Sequence, residues 1–178
     1  MPAHILSAGT AAAPAAAAPL QSLTFMLGGD VYAIGILSIK EIIEYTPMTE
    51  VPLMPPCIRG VINLRGAVVP VMDLQVRFGQ APRPVTKRTC IVIVEVNTPE
   101  GQQVMGVVVD AVNEVLDIDA SDIEPPPSFG TRIRSDFISG MAKVHGKFVI
   151  LLDVNRVLDL DDLQAMALPL ADQAAFSA

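Results

Sequence analysis

Apolar residues occur along this chain in short runs that are separated by turns, which is the pattern of a chain built from strands. Three pairs of runs flank a turn and predict hairpins: 23–27 with 31–36, 61–64 with 67–72, and 90–96 with 104–109. A further strand is predicted at 147–152. Glycine lies in each of the three turns, where it permits a positive φ. The pattern therefore predicts an all-β fold.

Helical signals are few and short. The segment Ser38–Glu41 has the form of a capping box, and four isoleucines fit one helical face for about two turns: Ile36, Ile39, Ile42 and Ile43. Because the segment is rich in β-branched residues, a strand is equally consistent after Glu41. Two aspartates, Asp73 and Asp153, each follow an apolar run and precede a short apolar-periodic segment. Both are predicted to cap short helices.

An internal repeat organises the whole chain. Gly60, Gly66 and Asp73 are matched 80 positions later by Gly140, Gly146 and Asp153, and residues 31–43 are matched by 104–116, 73 positions later. Repetition of a whole supersecondary unit predicts one small fold used twice, here a pair of small β-barrels. The predicted boundaries are a disordered Ala/Pro leader at 1–20, a first barrel repeat at 21–84, a second at 85–160 and a tail at 161–178.

Composition narrows the possible functions. The formal net charge is −7, which argues against nucleic acid as a partner because phosphate binding needs a basic face. The first 39 residues contain no Lys or Arg, so the leader lacks the basic start of a secretory signal. No apolar stretch is long enough to span a bilayer. With no Trp, two Tyr and six Phe, the interior is expected to be aliphatic, and the protein is predicted to be cytoplasmic without direct membrane insertion.

Catalytic patterns are missing from the sequence. The serines stand outside any nucleophile-elbow context, and no Lys-Ser/Thr pair follows Gly60–Gly66 as a phosphate loop requires. Asp73 and Asp153 could form a carboxylate pair, but helix capping explains them better. Cys57 and Cys90 lack metal-ligand spacing. The sequence therefore predicts no enzyme activity, no cofactor and no metal.

Two charged residues stand at unusual places. Arg65 lies in a hairpin turn beside glycine, and Glu41 lies in a segment that is more apolar than an exposed helix requires. Each has a plain interpretation as a solvated charge. Alternatively, they could form a polar rim around an apolar contact patch.

The run Gly60-Val-Ile-Asn-Leu-Arg65-Gly66, followed by Pro70, Asp73 and Leu74, resembles the signature of the chemotaxis coupling protein family, CheW. Supporting matches lie upstream in Tyr32–Ile42 and downstream in Gly106–Val112. The similarity covers about residues 23–158. An Asn-Leu-Arg-Gly motif alone is weakly specific, whereas this ordered set across both repeats is highly specific.

The resemblance implies two five-stranded, SH3-like β-barrels with an apolar seam between them, and short helices. It implies a non-enzymatic adaptor that joins the cytoplasmic tip of a chemoreceptor to the regulatory domain of the histidine kinase CheA. The family pattern places five residues around the partner-binding surfaces: Ile39, Glu41, Arg59, Gly60 and Arg65. Two alternatives stay open: a similar adaptor in another chemosensory pathway such as twitching motility, and a β-barrel that binds a small molecule at the seam.

Overall fold

The computed structural model describes residues 19–125 and 135–159. Most of the predicted leader and all of the predicted tail lie outside these ranges, and Leu20 already begins the first strand. The strands are β1 Leu20–Leu27, β2 Asp30–Gly35, β3 Ile39–Glu44, β4 Ile58–Leu64, β5 Ala67–Asp73, β6 Cys90–Thr98, β7 Gly101–Val109, β8 Ala111–Ile118, β9 Ile123–Glu124, β10 Ile138–Val144 and β11 Lys147–Leu152. Two single-turn α-helices follow strands, α1 at Leu74–Arg77 and α2 at Val154–Val157. The predicted all-β architecture of two barrels with short helices is confirmed.

The predicted hairpins are present as β1–β2, β4–β5 and β6–β7, and the predicted strand at 147–152 is β11. The helix alternative for Ser38–Glu41 is wrong. A 3-10 turn occupies Ile36–Ser38, and β3 then pairs antiparallel with β6. This pairing supplies hydrogen bonds to the backbone of β3, whose β-branched residues favour a strand. The segment is long enough for only two helical turns, which would give a marginal helix.

The strands form two sheets that each contain parts of both repeats. One sheet has the order β8-β1-β2-β11-β10-β9, and the other has the order β3-β6-β7-β5-β4. Parallel pairing joins β2 to β11 in the first sheet and β5 to β7 in the second. The first hairpin of each repeat is therefore inserted between the later strands of the other repeat. Residue 84 marks a boundary between sequence repeats, and each sheet draws strands from both sides of it.

Buried side chains form one core between the sheets and one core inside each barrel. The core between the sheets, called the seam here, is partly aromatic, contrary to the expected aliphatic interior. Ring centroids are separated by 6.1 Å between Phe25 and Tyr32, 5.7 Å between Tyr32 and Phe78, and 5.9 Å between Phe78 and Phe137. Burial of these large rings gives the seam much of its apolar contact area. The two barrels therefore pack across a dense interface.

Gly60 is required by a close backbone approach. A Cβ atom at this position would lie 2.5 Å from the carbonyl oxygen of Thr49. That carbonyl cannot move away easily, because Thr49 and Val61 exchange two backbone hydrogen bonds of 3.0 and 2.8 Å. We expect Gly60→Ala to lower the free energy of unfolding by about 2–3 kcal/mol, as overpacking does.

Denaturant titration of the full chain measures this loss. Gly35→Ala is the matched control, because an added Cβ there meets none of the described heavy atoms within 4 Å. An equal loss in the two variants would mean that the contact with Thr49 is not the cause.

Candidate partner-binding site

The tip of the β4–β5 hairpin presents Arg65 to solvent. Arg65 and Gly66 have φ values of 52° and 88°, the positive pair that is typical of a two-residue type I′ turn. The side-chain oxygen Oδ1 of Asn63 accepts a hydrogen bond of 2.8 Å from the backbone nitrogen of Gly66. These local interactions fix the turn and leave the Arg65 side chain 73% exposed.

Arg65 forms a bidentate ion pair with Glu41. Its Nη1 donates to Oε2 of Glu41, and its Nη2 donates to Oε1 over 2.9 Å. Glu41 lies on β3 and Arg65 lies on the hairpin of β4, and these strands are the two edges of the five-stranded sheet. The ion pair therefore links the sheet edges across the barrel. It also brings into direct contact two residues that the sequence predicted only as parts of a common polar rim.

The ion pair changes the protonation of Glu41. The hydrogen bond from Arg65 is the main cause that lowers the pKa of Glu41, burial opposes it, and the charges of Arg65 and Lys40 add to the lowering. Because the pKa of Glu41 is lower in the folded than in the unfolded chain, the ion pair stabilises the fold fully at pH values above the pKa of Glu41 in the unfolded chain. This stabilisation is lost as the pH falls through the pKa of Glu41 in the folded chain.

We expect Arg65→Gln to return the pKa of Glu41 toward its ordinary value, because the principal donor to the carboxylate is weakened. Lys40→Gln is the control and should leave most of the lowering, since the charge of Lys40 is the smallest cause. Titration of the Glu41 side-chain carboxyl carbon by NMR measures both variants. Equal pKa values in wild type and Arg65→Gln would show that the pair does not form in solution.

Arg59 is held inside a second polar cluster at the other end of β4. Its Nε and Nη2 lie 2.9 and 2.8 Å from Oδ2 of Asp73, and its Nη1 donates to the hydroxyl of Tyr45 over 2.9 Å. Burial opposes the charged form of Arg59, but the hydrogen bond and the charge of Asp73 outweigh it and raise the pKa of Arg59. Only 23% of the Arg59 side chain is exposed. The Arg59 guanidinium is therefore bound mainly by side chains of this chain, Asp73 and Tyr45.

Both aspartates that the sequence assigned to helix capping do cap helices. Oδ1 of Asp73 accepts from the backbone nitrogens of Gln75 and Val76 at the start of α1, at 3.0 and 3.4 Å. Asp153 makes the equivalent pair of bonds at the start of α2. With one oxygen on the helix and the other on Arg59, Asp73 joins α1 to β4. Neither the Arg59 nor the Tyr45 contact was predicted from the sequence.

The remaining predicted residues have backbone or packing roles. Gly60 is buried where β4 passes Thr49, and Ile39 is half-buried and packs against the seam. The structure thus brings Glu41 and Arg65 together at the barrel edge, while Arg59 and Gly60 are neighbours along β4. The sequence did not single out two exposed apolar residues on the same elements, Ile42 on β3 and Val68 on β5, which are 43% and 72% exposed.

The model of the CheW-like domain family matches residues 21–162. The chain belongs to the CheW family. The chemotaxis protein CheW of Klebsiella aerogenes is 34% identical over 141 residues, which cover 79% of this chain and 82% of the relative. The CheW of Bacillus subtilis is 35% identical over 152 residues, which cover 85% and 93%. The crystal structure of the scaffolding protein CheW from Thermoanaerobacter tengcongensis superposes with a TM-score of 0.71 at 37% identity, covering 78% of this chain and 87% of that chain.

Membership of the CheW family confirms the predicted SH3-like double barrel and the predicted role of a chemotaxis coupling adaptor. The alternative adaptor pathway and the small-molecule barrel are not favoured. A pocket of about 120 Å³ lies between the β6–β7 hairpin and the end of α2, and it is smaller than the few hundred Å³ of a typical ligand site.

In residues 19–125 and 135–159, His, Cys, Asp and Glu form no group of three that could hold a metal ion. The same part of the chain contains no helix that is both long and apolar enough to cross a membrane.

Proposed function

We propose that this chain couples methyl-accepting chemoreceptors to the histidine kinase CheA as a cytoplasmic adaptor beneath receptor arrays, without catalytic activity of its own. The observation that carries the proposal is the Glu41–Arg65 pair. It places an exposed arginine and its carboxylate at a barrel edge of a CheW-family chain, within the motif that suggested the family.

The five predicted residues would then serve the contact in different ways. Glu41 and Arg65 offer charged groups to a partner at the barrel edge. Arg59 and Gly60 keep β4 in position through Asp73 and Thr49. Ile39 anchors the start of β3 to the seam. An arginine that is already oriented by a bidentate pair loses less side-chain freedom on binding than a free one.

An adaptor acts by holding two partners together, which raises their effective concentration without new chemistry. We therefore expect this chain to change CheA autophosphorylation strongly when receptor is present and little when it is absent. The measurement needs kinase, receptor fragments, ATP and the full chain. Equal kinase activity with and without the chain, at concentrations where the ternary complex forms, would contradict the proposed coupling.

We expect Arg65→Ala to weaken partner binding by about 1–2 kcal/mol, as loss of an interface arginine does. The free energy of unfolding should fall by less than about 1 kcal/mol, because the pair is exposed. Arg88 is an exposed arginine in residues 80–89, called the linker here, which lie between α1 and β6, and Arg88→Ala is the matched control for binding. Calorimetry with each partner and urea titration separate the two effects. Normal binding by a strongly destabilised Arg65→Ala would assign this residue to the fold alone.

Charge reversal separates the internal pair from the partner contact. Glu41→Lys should reduce coupling, because it breaks the pair and places a repulsive charge at the contact. Combining Glu41→Arg with Arg65→Glu restores an internal ion pair while reversing what a partner meets. If this swap recovers stability but not coupling, Glu41 and Arg65 contact the partner directly. Full recovery of coupling would limit their role to closing the barrel.

A further inference from the structure

The β10–β11 hairpin is the structural counterpart of the hairpin that carries Arg65. His145 and Gly146 form its turn, with φ values of 52° and 80°, nearly the same as those of Arg65 and Gly66. The two turns are also separated by 80 positions in the sequence, which is the offset of the repeat. The two barrels therefore present equivalent hairpins, whose side chains can be compared position by position.

The chemistry of the two hairpins differs. In the β4–β5 hairpin, Asn63 pairs across the ladder with Val68. In the β10–β11 hairpin, Lys143 occupies the first position and pairs with Phe148, which is 52% exposed. Lys147 follows the turn, and both lysines are exposed. Residues 143–148, called the cationic hairpin here, thus place Lys143 directly across the ladder from an exposed aromatic ring, with a second lysine at the preceding position of β11.

The charges of the cationic hairpin are not neutralised within the part of the chain that the structure describes. Arg65 is paired with Glu41, whereas Lys143, His145 and Lys147 make no ion pair with any described carboxylate. This occurs in a chain of formal net charge −7. Two lysines without an ion pair to any described carboxylate, on a hairpin that also carries an exposed Phe, are a local reversal of the overall charge.

We propose that the cationic hairpin binds an acidic segment of a partner protein. Carboxylates of that segment would pair with Lys143 and Lys147, and an apolar side chain of the segment would cover Phe148 beside Lys143. Charge complementarity selects the partner and speeds the encounter, while the aromatic ring supplies the buried contact. The site lies in the barrel opposite to Arg65, so the two barrels offer chemically different surfaces to different partners.

A second basic segment provides the internal comparison. Arg83, Lys87 and Arg88 lie on the linker between the repeats, but Nε of Arg83 is 3.0 Å from Oδ2 of Asp110 and is already neutralised. The linker also has no aromatic residue. It shares the charge of the cationic hairpin without the ring, which makes it the natural control.

The test is an NMR titration of the full chain, labelled with nitrogen-15, with a short synthetic peptide of glutamates around one leucine. The control peptide has glutamine in place of each glutamate. We expect the acidic peptide to shift backbone amide signals of residues 143–148, with binding that weakens at higher salt. The glutamine peptide should bind at least about tenfold more weakly. Because neither kinase nor receptor is present, the result is independent of the proposed coupling role.

Variants show which groups bind. Lys143→Gln with Lys147→Gln should weaken binding of the acidic peptide about tenfold or more and flatten its salt dependence, and Phe148→Ser should weaken binding but keep the salt dependence. Lys87→Gln with Arg88→Gln should change neither. The proposal is overturned if the peptide shifts only linker signals, if it shifts none, or if the two-lysine variant binds equally well. Tighter binding of a short RNA or of anionic vesicles at the same signals would also overturn it.

Discussion

Arg59→Ala should lower the free energy of unfolding by about 3 kcal/mol, the lower part of the range for breaking a buried ion pair. Asp73 is 3% exposed, so removal of Arg59 leaves a buried carboxylate without its cation. The loss stays at the lower end because the Arg59 side chain itself is partly exposed and water can replace it in part. Urea titration near neutral pH measures the loss.

A double-mutant cycle identifies the cause. Asp73→Asn keeps a good cap for α1 and removes the charge, so Arg59→Ala should cost much less in that background. The same cost in both backgrounds would mean that Arg59 acts through Tyr45 instead. If Arg59→Ala in the wild-type background lowers the free energy of unfolding by less than about 1 kcal/mol, Arg59 is not needed for the fold and a direct role in partner binding becomes the better explanation.

Arg77→Ala should also be strongly destabilising, by about 2–4 kcal/mol. The side chain is 5% exposed, its Nε donates to the carbonyl oxygen of Val157 over 2.8 Å, and its guanidinium lies 4.5 Å from the centre of the Phe137 ring. Its removal leaves a carbonyl at the end of α2 without this charged donor and opens a gap beside the ring. Arg156→Ala, an exposed arginine on α2, is the control. Similar melting of both variants would show that the buried contacts of Arg77 contribute little.

Local patterns in the sequence predicted the hairpins and caps because their causes are local. Gly66 permits the turn between β4 and β5, and Asp73 and Asp153 each cap the helix that directly follows them. The repeat predicted two similar barrels because its apolar positions remain in register. The segment after Ser38 was ambiguous, since it is short and the partner strand β6 that decides its conformation lies about fifty residues later.

Interactions that differ between the repeats were not predicted. Arg59 binds Asp73 in the first repeat, while Ser139 occupies the corresponding place 80 positions later. In the same way, Arg77 corresponds to Val157. An arginine that is present in one repeat and absent from the corresponding position of the other could have indicated that Arg59 and Arg77 each have a particular role. Their partners could not be inferred, because they depend on which strands and helices meet across the seam.

Because each sheet contains strands from both repeats, the order in which the strands are synthesised determines when each sheet can form. The hairpin of β1 and β2 emerges from the ribosome before the other strands, but its neighbours β8 and β11 are the eighth and the eleventh strands to be made. Each edge of the hairpin lacks its partner until that strand has been made, and Phe25 lacks the core between the sheets. The six-stranded sheet therefore cannot be completed before β11 has left the ribosome, although the five-stranded sheet needs no strand after β7. The nascent chain therefore stays open to chaperones and to mispairing with other nascent chains until the second repeat has left the exit tunnel.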